Sequence, residues 1–346
     1  MEIPKAGGVR PLGVPTVADR VAQTVVCRYL EPLVEPVFHP DSYGYRPGRS
    51  ALDAVAVCRE RCWRSDWVVD LDIKSFFDSL DHRLVLKAVA HHTDQKWILL
   101  YVQRWLCAPV QQPDGTLVAR DRGTPQGSAI SPLLANLFLH YAFDVWMRRR
   151  FPSVPFERYA DDAVVHCRSR AQARYVQDAI AARMVECGLQ LHPDKTRIVY
   201  CKDDNRRGRH EHVQFDFLGY TFRPRSSKRK TGKLFVNFAP AISDKARKAV
   251  GRTIRRWRLH LHNSLTLSEL AAFVNPILRG WINYYGRFYR SQLVPVLRRV
   301  NDYLARWAIR KYKRLRGHKR RAYRFLKAVA KRQPGLFAHW RIGLTP

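Results

Sequence analysis

The sequence predicts an α+β protein in two parts: interleaved strands and helices over residues 1–222, then a helical, basic remainder. Three observations lead there. Short β-branched runs such as DWVVDLD (66–72) alternate with segments of helical periodicity in the first part. Apolar residues recur at i, i+3, i+4 and i+7 through the second. From Pro224 to the end only Asp244, Glu269 and Asp302 are acidic, so the charge changes character along the chain.

Taken in order, DWVVDLD reads as a buried strand, and HRLVLKAVAHH and QKWILLYVQRWLC as helices. The segment 131–149 opens on Ser-Pro, a good helix start, and its apolar residues cover most faces, so it is expected as a central helix. VPFERYADDAVVHC reads as strand, turn, strand. The amphipathic stretch 170–188 is expected to stop at Gly188. LQLHP, TRIVYC and VQFDFLGYTF follow as further strands. RPRSSKRKTGK (223–233), basic and punctuated by Pro and Gly, is a candidate linker or loop. Beyond it, Trp281, Tyr284, Tyr285 and Phe288 form one helical stripe and Leu297, Val300, Leu304 and Trp307 another. Both are expected to pack a core. The domain scheme is therefore 1–222, a linker and hairpin over 223–242, a helical domain over 243–316, and a basic helix and tail over 317–346.

The net charge is +33, from 62 Lys+Arg against 29 Asp+Glu. Self-repulsion of that size disfavours a compact state and calls for a polyanionic partner, nucleic acid first and an anionic membrane surface second. Apolar content of 46% excludes general disorder. No run approaches the roughly 18 apolar residues of a membrane span, and MEIPKAGGVRPLG lacks the apolar centre of a signal peptide. Seven dispersed cysteines without a CxxC predict reduced thiols in the cytoplasm rather than disulfides or zinc. Arg298, Arg299, Arg306, Arg310, Lys311, Lys313 and Arg314 run on into GHKRRAYRFLKAVAKR with almost nothing to balance them. Solvated charge runs usually mix signs; this one predicts a surface for a polyanion.

RYADDAVVHC (158–167) sets Asp161 and Asp162 side by side between apolar runs. An Asp pair in a hairpin is commonly a plain turn. Asp72 changes the balance, because it ends a hydrophobic strand where a carboxylate is costly unless paired or bound to metal. Three carboxylates converging on one sheet repel one another, and a hard cation relieves the repulsion. Mg²⁺ suits such a set with substrate phosphates and water, and two ions about 4 Å apart activate a hydroxyl and stabilise leaving pyrophosphate. With the basic surface, this predicts phosphoryl or nucleotidyl transfer on nucleic acid.

RPLGVPTVADRVAQ (10–23), SYGYRPGRSALDAV (42–55), DIKSFFDSLDH (72–82), GTPQGSAISPLLANLFL (123–139), RYADDAVVH (158–166), GLQLHPDKT (188–196) and FDFLGYTF (215–222) follow in that order. Together they resemble the successive blocks of bacterial group II intron reverse transcriptases. NPILRGWINYYGRF (275–288) and the basic helices after it resemble that family's maturase-specific, or thumb, region. The resemblance implies a right-hand polymerase, with fingers and palm around a small antiparallel sheet and an all-α thumb. It also implies RNA-directed DNA synthesis from dNTPs with two Mg²⁺ ions. The partners implied are intron RNA, an RNA template and a DNA primer or target.

By motif, the resemblance assigns Asp72, Asp161 and Asp162 to the metals, with the backbone of Ile73 beside them. Asp70 and Asp78 are nearby, but only Asp72 stands five residues before the aromatic Phe77. Phe77 falls where a ring excludes a ribonucleotide 2′-hydroxyl, or else simply packs the core. Gln126 in TPQG matches a nucleotide contact, the alternative being a bare Gly-Pro loop. Arg10 and Arg46 match fingers positions suited to a triphosphate, which bidentate guanidinium geometry favours. Lys195 matches the lysine near the leaving pyrophosphate, a general acid, or else it caps a turn. FLGYTF matches a hairpin gripping the primer end, and its alternation suits any core strand.

The family usually has more fingers sequence before the IPK-GG-RPLG block, and Met1 stands almost at that block. After Trp340 no Cys/His-rich endonuclease module follows, so cleavage of a DNA strand is not expected. Two competing readings remain at this level. One is a non-enzymatic RNA-binding splicing cofactor or decayed copy, against which the intact carboxylate set weighs. The other is a different reverse transcriptase class, against which the maturase-like tail weighs.

Overall fold

The computed structural model describes residues 2–5, 8–11, 13–112, 114–229 and 231–346, the first two stretches by backbone only. The chain forms two compact units that divide between Val213 and Gln214.

The first unit begins with β1 (Glu2–Lys5) and β2 (Gly8–Pro11), an antiparallel pair, then α1 (Val17–Val34), α2 (Ala51–Arg64) and β3 (Trp67–Leu71). Next come α3 (Phe76–Ser79), α4 (His82–Ala90), α5 (Lys96–Cys107) and the short pair β4 (Val110–Gln111) and β5 (Leu117–Val118). The unit continues with α6 (Ser131–Leu139), α7 (Val145–Arg150), β6 (Phe156–Tyr159), β7 (Asp162–Cys167), α8 (Arg170–Glu186) and β8 (Arg197–Tyr200).

Its central sheet is antiparallel in the order β6-β7-β3-β8. Val68 and Val69 of β3 are both fully buried, so both faces of the sheet are covered, which is why the strand reads as an unbroken apolar run. One face meets α2, whose Ala54, Val55, Cys58 and Cys62 point inward. The other, with Val69, Leu71 and Val165, joins the main core with α1, α4, α5, α6 and α8. Ser50 and Asp53 cap α2 reciprocally, and Ser169 caps α8. Gly188, at φ +74°, ends α8 as expected, with Leu189 N–H donating to Met184 O at 2.8 Å.

The central helix expected over 131–149 is present and largely buried, with a π-turn at His140–Asp144 between α6 and α7 that carries a fully buried Asp144. One expectation for this unit is corrected. LQLHP is not a strand. Only Leu191 bridges, to Ile73; Pro193 has no amide to donate, and the chain turns at once through Lys195 N–H to His192 O.

The second unit starts with β9 (Phe215–Phe217), β10 (Tyr220–Lys228) and β11 (Leu234–Ile242), an antiparallel sheet in the order β11-β10-β9. The helices α9 (Asp244–Arg256), α10 (Leu267–Tyr285), α11 (Val294–Lys311), α12 (Lys319–Arg332) and α13 (Ala338–Arg341) follow. Leu297, Val300, Leu304 and Trp307 are fully buried in their core, as the stripe predicts. Tyr284, Tyr285 and Phe288 stack around Tyr220. The expected linker 223–233 is instead the outer part of the β10–β11 hairpin, paired in register from Tyr220↔Ile242 to Lys228↔Leu234. Arg225 explains how so basic a segment folds: it is buried, donates to Ala239 O and Thr221 O at 3.0 Å, and lies over the Tyr289 ring. Among the described residues no helix is long and apolar enough to cross a membrane.

Candidate catalytic centre

The β6–β7 hairpin turns in two residues, Ala160 and Asp161, between the pair Tyr159↔Asp162. Ala160 takes φ +56°, a conformation such hairpins usually give to glycine. An L-residue there costs about 1–2 kcal/mol, so the surroundings must impose it. Arg158 is central to that imposition. Its buried guanidinium grips Asp144 through Nε at 2.7 Å and NH2 at 2.6 Å, while NH1 donates to Asn136 Oδ1 at 2.8 Å and to Ala160 O at 3.0 Å. From the other side, Tyr43 N–H donates to Arg158 O at 2.8 Å and Arg158 N–H to Asp41 O at 2.9 Å. Gly44 then lies directly on the turn: a Cβ on it would stand 2.4 Å from Ala160 N. Gly44→Ala therefore has to displace the Asp161 backbone or its own. Nucleotide addition is expected to fall on the order of 10²-fold, the typical cost of about 1 Å of misplacement, with RNA affinity unchanged. Full activity in that variant contradicts the positioning role.

Asp72 enters from the neighbouring strand. The last β3–β7 pair is Leu71↔Ala163, so one step further brings Asp72 to the strand end where Asp162 begins. The Ile73↔Leu191 bridge is made by Lys74 N–H to Gln190 O at 2.9 Å and His192 N–H to Asp72 O at 2.7 Å. Ile73's own carbonyl is thereby turned away from the pairing. Lys195 donates to both Asp72 carboxylate oxygens, at 3.0 and 3.2 Å. With side chains 53% and 31% exposed, this pair adds little to stability; it marks where the site attracts a cation.

The donor set fits a hard divalent ion: three carboxylates and a backbone carbonyl on adjacent strand ends, already holding an ammonium.

The segments carrying Phe77 and Gln126, expected at the nucleotide, are joined by backbone bonds. Thr124 N–H donates to Phe77 O and Gly123 N–H to Leu80 O, both at 2.7 Å, and Gln126 Nε2 reaches Asp78 Oδ1 at 3.3 Å. Gly123 (φ +79°) leaves no room for a Cβ, which would meet Asp78 O at 2.8 Å. The structure thus brings Phe77 and Gln126 to one place, although Phe77 is also half-buried against Phe76 and the core. Arg46, expected at a triphosphate, is held within the fold. All five of its N–H donors are used inside the fold, by Glu35 Oε1, Oε2 and O and by His39 and Ser42 carbonyls. These bonds tie the chain after α1 to the Ser42 loop, and a triphosphate on Arg46 would have to displace Glu35. Arg10 falls on β2, and its side chain lies outside the described residues.

In the second unit Arg298, Arg299, Arg306 and Arg310 lie exposed on α11, and Lys313 and Arg314 just beyond it. Lys311, half-buried, donates through Nζ to Leu265 O at 2.7 Å and lies 5.3 Å over the Trp307 ring.

Residues 3–222 match the family described as reverse transcriptase (RNA-dependent DNA polymerase). The chain belongs to that family. Residues 247–325 of this reverse transcriptase match the group II intron maturase-specific domain. It is 29% identical over 309 residues to protein YkfC of Escherichia coli K12, covering 77% of this chain and 76% of that protein. With the group II intron-encoded protein LtrA of Lactococcus lactis it shares 25% identity over 360 residues, 80% of this chain and 58% of LtrA. Apo telomerase from Candida tropicalis superposes with TM-score 0.52 at 13% identity, over 99% of this chain and 67% of that one. That likeness is one of fold, the right-hand polymerase. The family works with divalent metal and RNA.

Sequence reasoning missed the apparatus that holds the reverse transcriptase's hairpin: Arg158, Asp144, Asn136 and Gly44. One signal for it was available. Asp144 is a lone carboxylate in the apolar stretch FLHYAFDVW, and such a group needs a buried partner.

Proposed function

We propose that this chain copies RNA into DNA and binds group II intron RNA to assist splicing. The observation that carries the polymerase reading is Asp72 and the Asp161–Asp162 turn at adjacent ends of β3 and β7, with Lys195 bonded across Asp72. Asp72, Asp161, Asp162 and the Ile73 carbonyl would hold two Mg²⁺ ions, which would activate the primer 3′-hydroxyl and stabilise charge on pyrophosphate. Lys195, bonded to Asp72 at 3.0 Å, would leave it to give a proton to the departing pyrophosphate. Phe77 walls the sugar side against a 2′-hydroxyl, and Gln126 contacts the incoming nucleotide.

The test is extension of a DNA primer on an RNA template, with dNTPs against rNTPs. The expected product is DNA from dNTPs and almost none from rNTPs. Equal use of both, or no product from folded, RNA-binding protein, sinks the reading.

For the RNA surface, replacing Arg298 and Arg306 with Ala is expected to weaken intron RNA binding on all sequences alike. The slope of log affinity against log salt should fall by about 1 for each phosphate no longer neutralised. Lys311→Ala is expected to lower thermal stability and leave that slope alone. A filter-binding salt series on the three proteins checks both.

A further inference from the structure

Behind the catalytic hairpin, between α2 and the sheet, lies a fully buried cluster that the polymerase chemistry does not use. Cys58 and Cys62 sit one turn apart on the inner face of α2, Cys201 directly follows β8, and His166 is on β7. Cys58, His166 and Glu157 offer ligand atoms that all lie within 4.8 Å of one another. The Cys62 sulfur in turn lies against Cys58, Cys201 and the His166 ring. These cysteines are far apart in sequence, which is why their spacing suggested no site.

The His166 imidazole supplies the second observation. Its Nε2 bonds Glu157 Oε2 at 2.6 Å, whereas its Nδ1 is buried with no hydrogen-bond partner. An unmet buried nitrogen costs about 1–3 kcal/mol. Glu157 needs no further partner, because Arg61 binds its other oxygen at 2.6 Å. A carboxylate on one imidazole nitrogen, with the other turned toward thiols, is the arrangement that orients histidine for a metal.

We propose that Cys58, Cys62, Cys201 and His166 Nδ1 bind a structural Zn²⁺ ion, with Glu157 fixing the imidazole. Three sulfurs and one nitrogen in a closed pocket select zinc over hard cations. Tetrahedral bonds of about 2.3 Å to sulfur and 2.0 Å to nitrogen would bring the ligand atoms to roughly 3.5 Å from one another. Burial pushes the Cys58 and Cys62 thiols up to about 12, so without metal they are neutral and unreactive. The ion ties α2, β7 and β8 together: His166 is four residues from Asp162, and Glu157 four before Asp161. Its role is to stiffen the base of the catalytic hairpin.

The test is metal analysis of the full chain, purified reduced and without chelator, followed by Co²⁺ titration of the stripped protein. The result expected is about one zinc per chain, thiolate-to-cobalt charge-transfer absorption on adding Co²⁺, and a lower urea midpoint for the stripped chain. Cys62→Ser and Cys201→Ser should each lose the cobalt absorption, while Cys107→Ser, at an exposed thiol, should keep it. If the cluster variants do not fold, the wild-type titration decides alone. Folded, reduced wild type with neither zinc nor cobalt absorption overturns the proposal, as does a cobalt signal that survives Cys62→Ser.

Discussion

Asp161→Ala is expected to slow nucleotide addition by about 10³-fold or more while leaving RNA affinity unchanged. Removing one carboxylate takes away several kcal/mol of metal-mediated stabilisation, and about 4 kcal/mol corresponds to 10³ in rate. Asp161 is in the turn and half-exposed, so its loss opens no cavity in the core. Asp72→Ala should cost a similar amount. The double variant should be little worse than either, because the groups act through the same ions. Rates measured under single turnover at saturating RNA check this, and additive losses in the double variant would separate the two carboxylates.

Arg158→Ala is expected to destabilise the first unit by about 3–5 kcal/mol, because it leaves Asp144 buried and charged without its partner. That is a large part of the roughly 5–15 kcal/mol that holds a domain folded. Urea unfolding measures it as a lowered midpoint at unchanged slope. The double variant Arg158→Met with Asp144→Leu separates the two roles of the pair. Replacing both charges with apolar groups should return most of the stability. Activity should stay low, because nothing then donates to Ala160 O. Full activity in the double variant would confine Arg158 to a stabilising role.

What could be read in the sequence was what a local pattern carries. Asp72 and the Asp161–Asp162 pair stand out because each interrupts an apolar run, and β3, β6 and β7 follow from those same runs. Gly188 ends α8 where a residue at positive φ was expected. What failed needed a partner distant in sequence. Arg46 could not be told from a phosphate ligand until Glu35 was found beside it. The bond from Lys311 to the Leu265 carbonyl, forty-six residues away, has no mark in the local pattern. The basic stretch 223–233 looked like a linker because the pairing that orders it lies across the hairpin, in 234–242. The Arg158–Asp144 pair spans fourteen residues and the cysteine cluster over a hundred, and no short-range rule reaches either.

The central claim is that this fold synthesises DNA on RNA at the end of β3 and β7. The measurement that tests it most directly is single-nucleotide addition to a primed RNA template in Mg²⁺, wild type beside Asp161→Ala, at matched RNA occupancy. Addition by wild type alone is the result predicted. Tight RNA binding with no addition by wild type, or equal addition by both proteins, would contradict it.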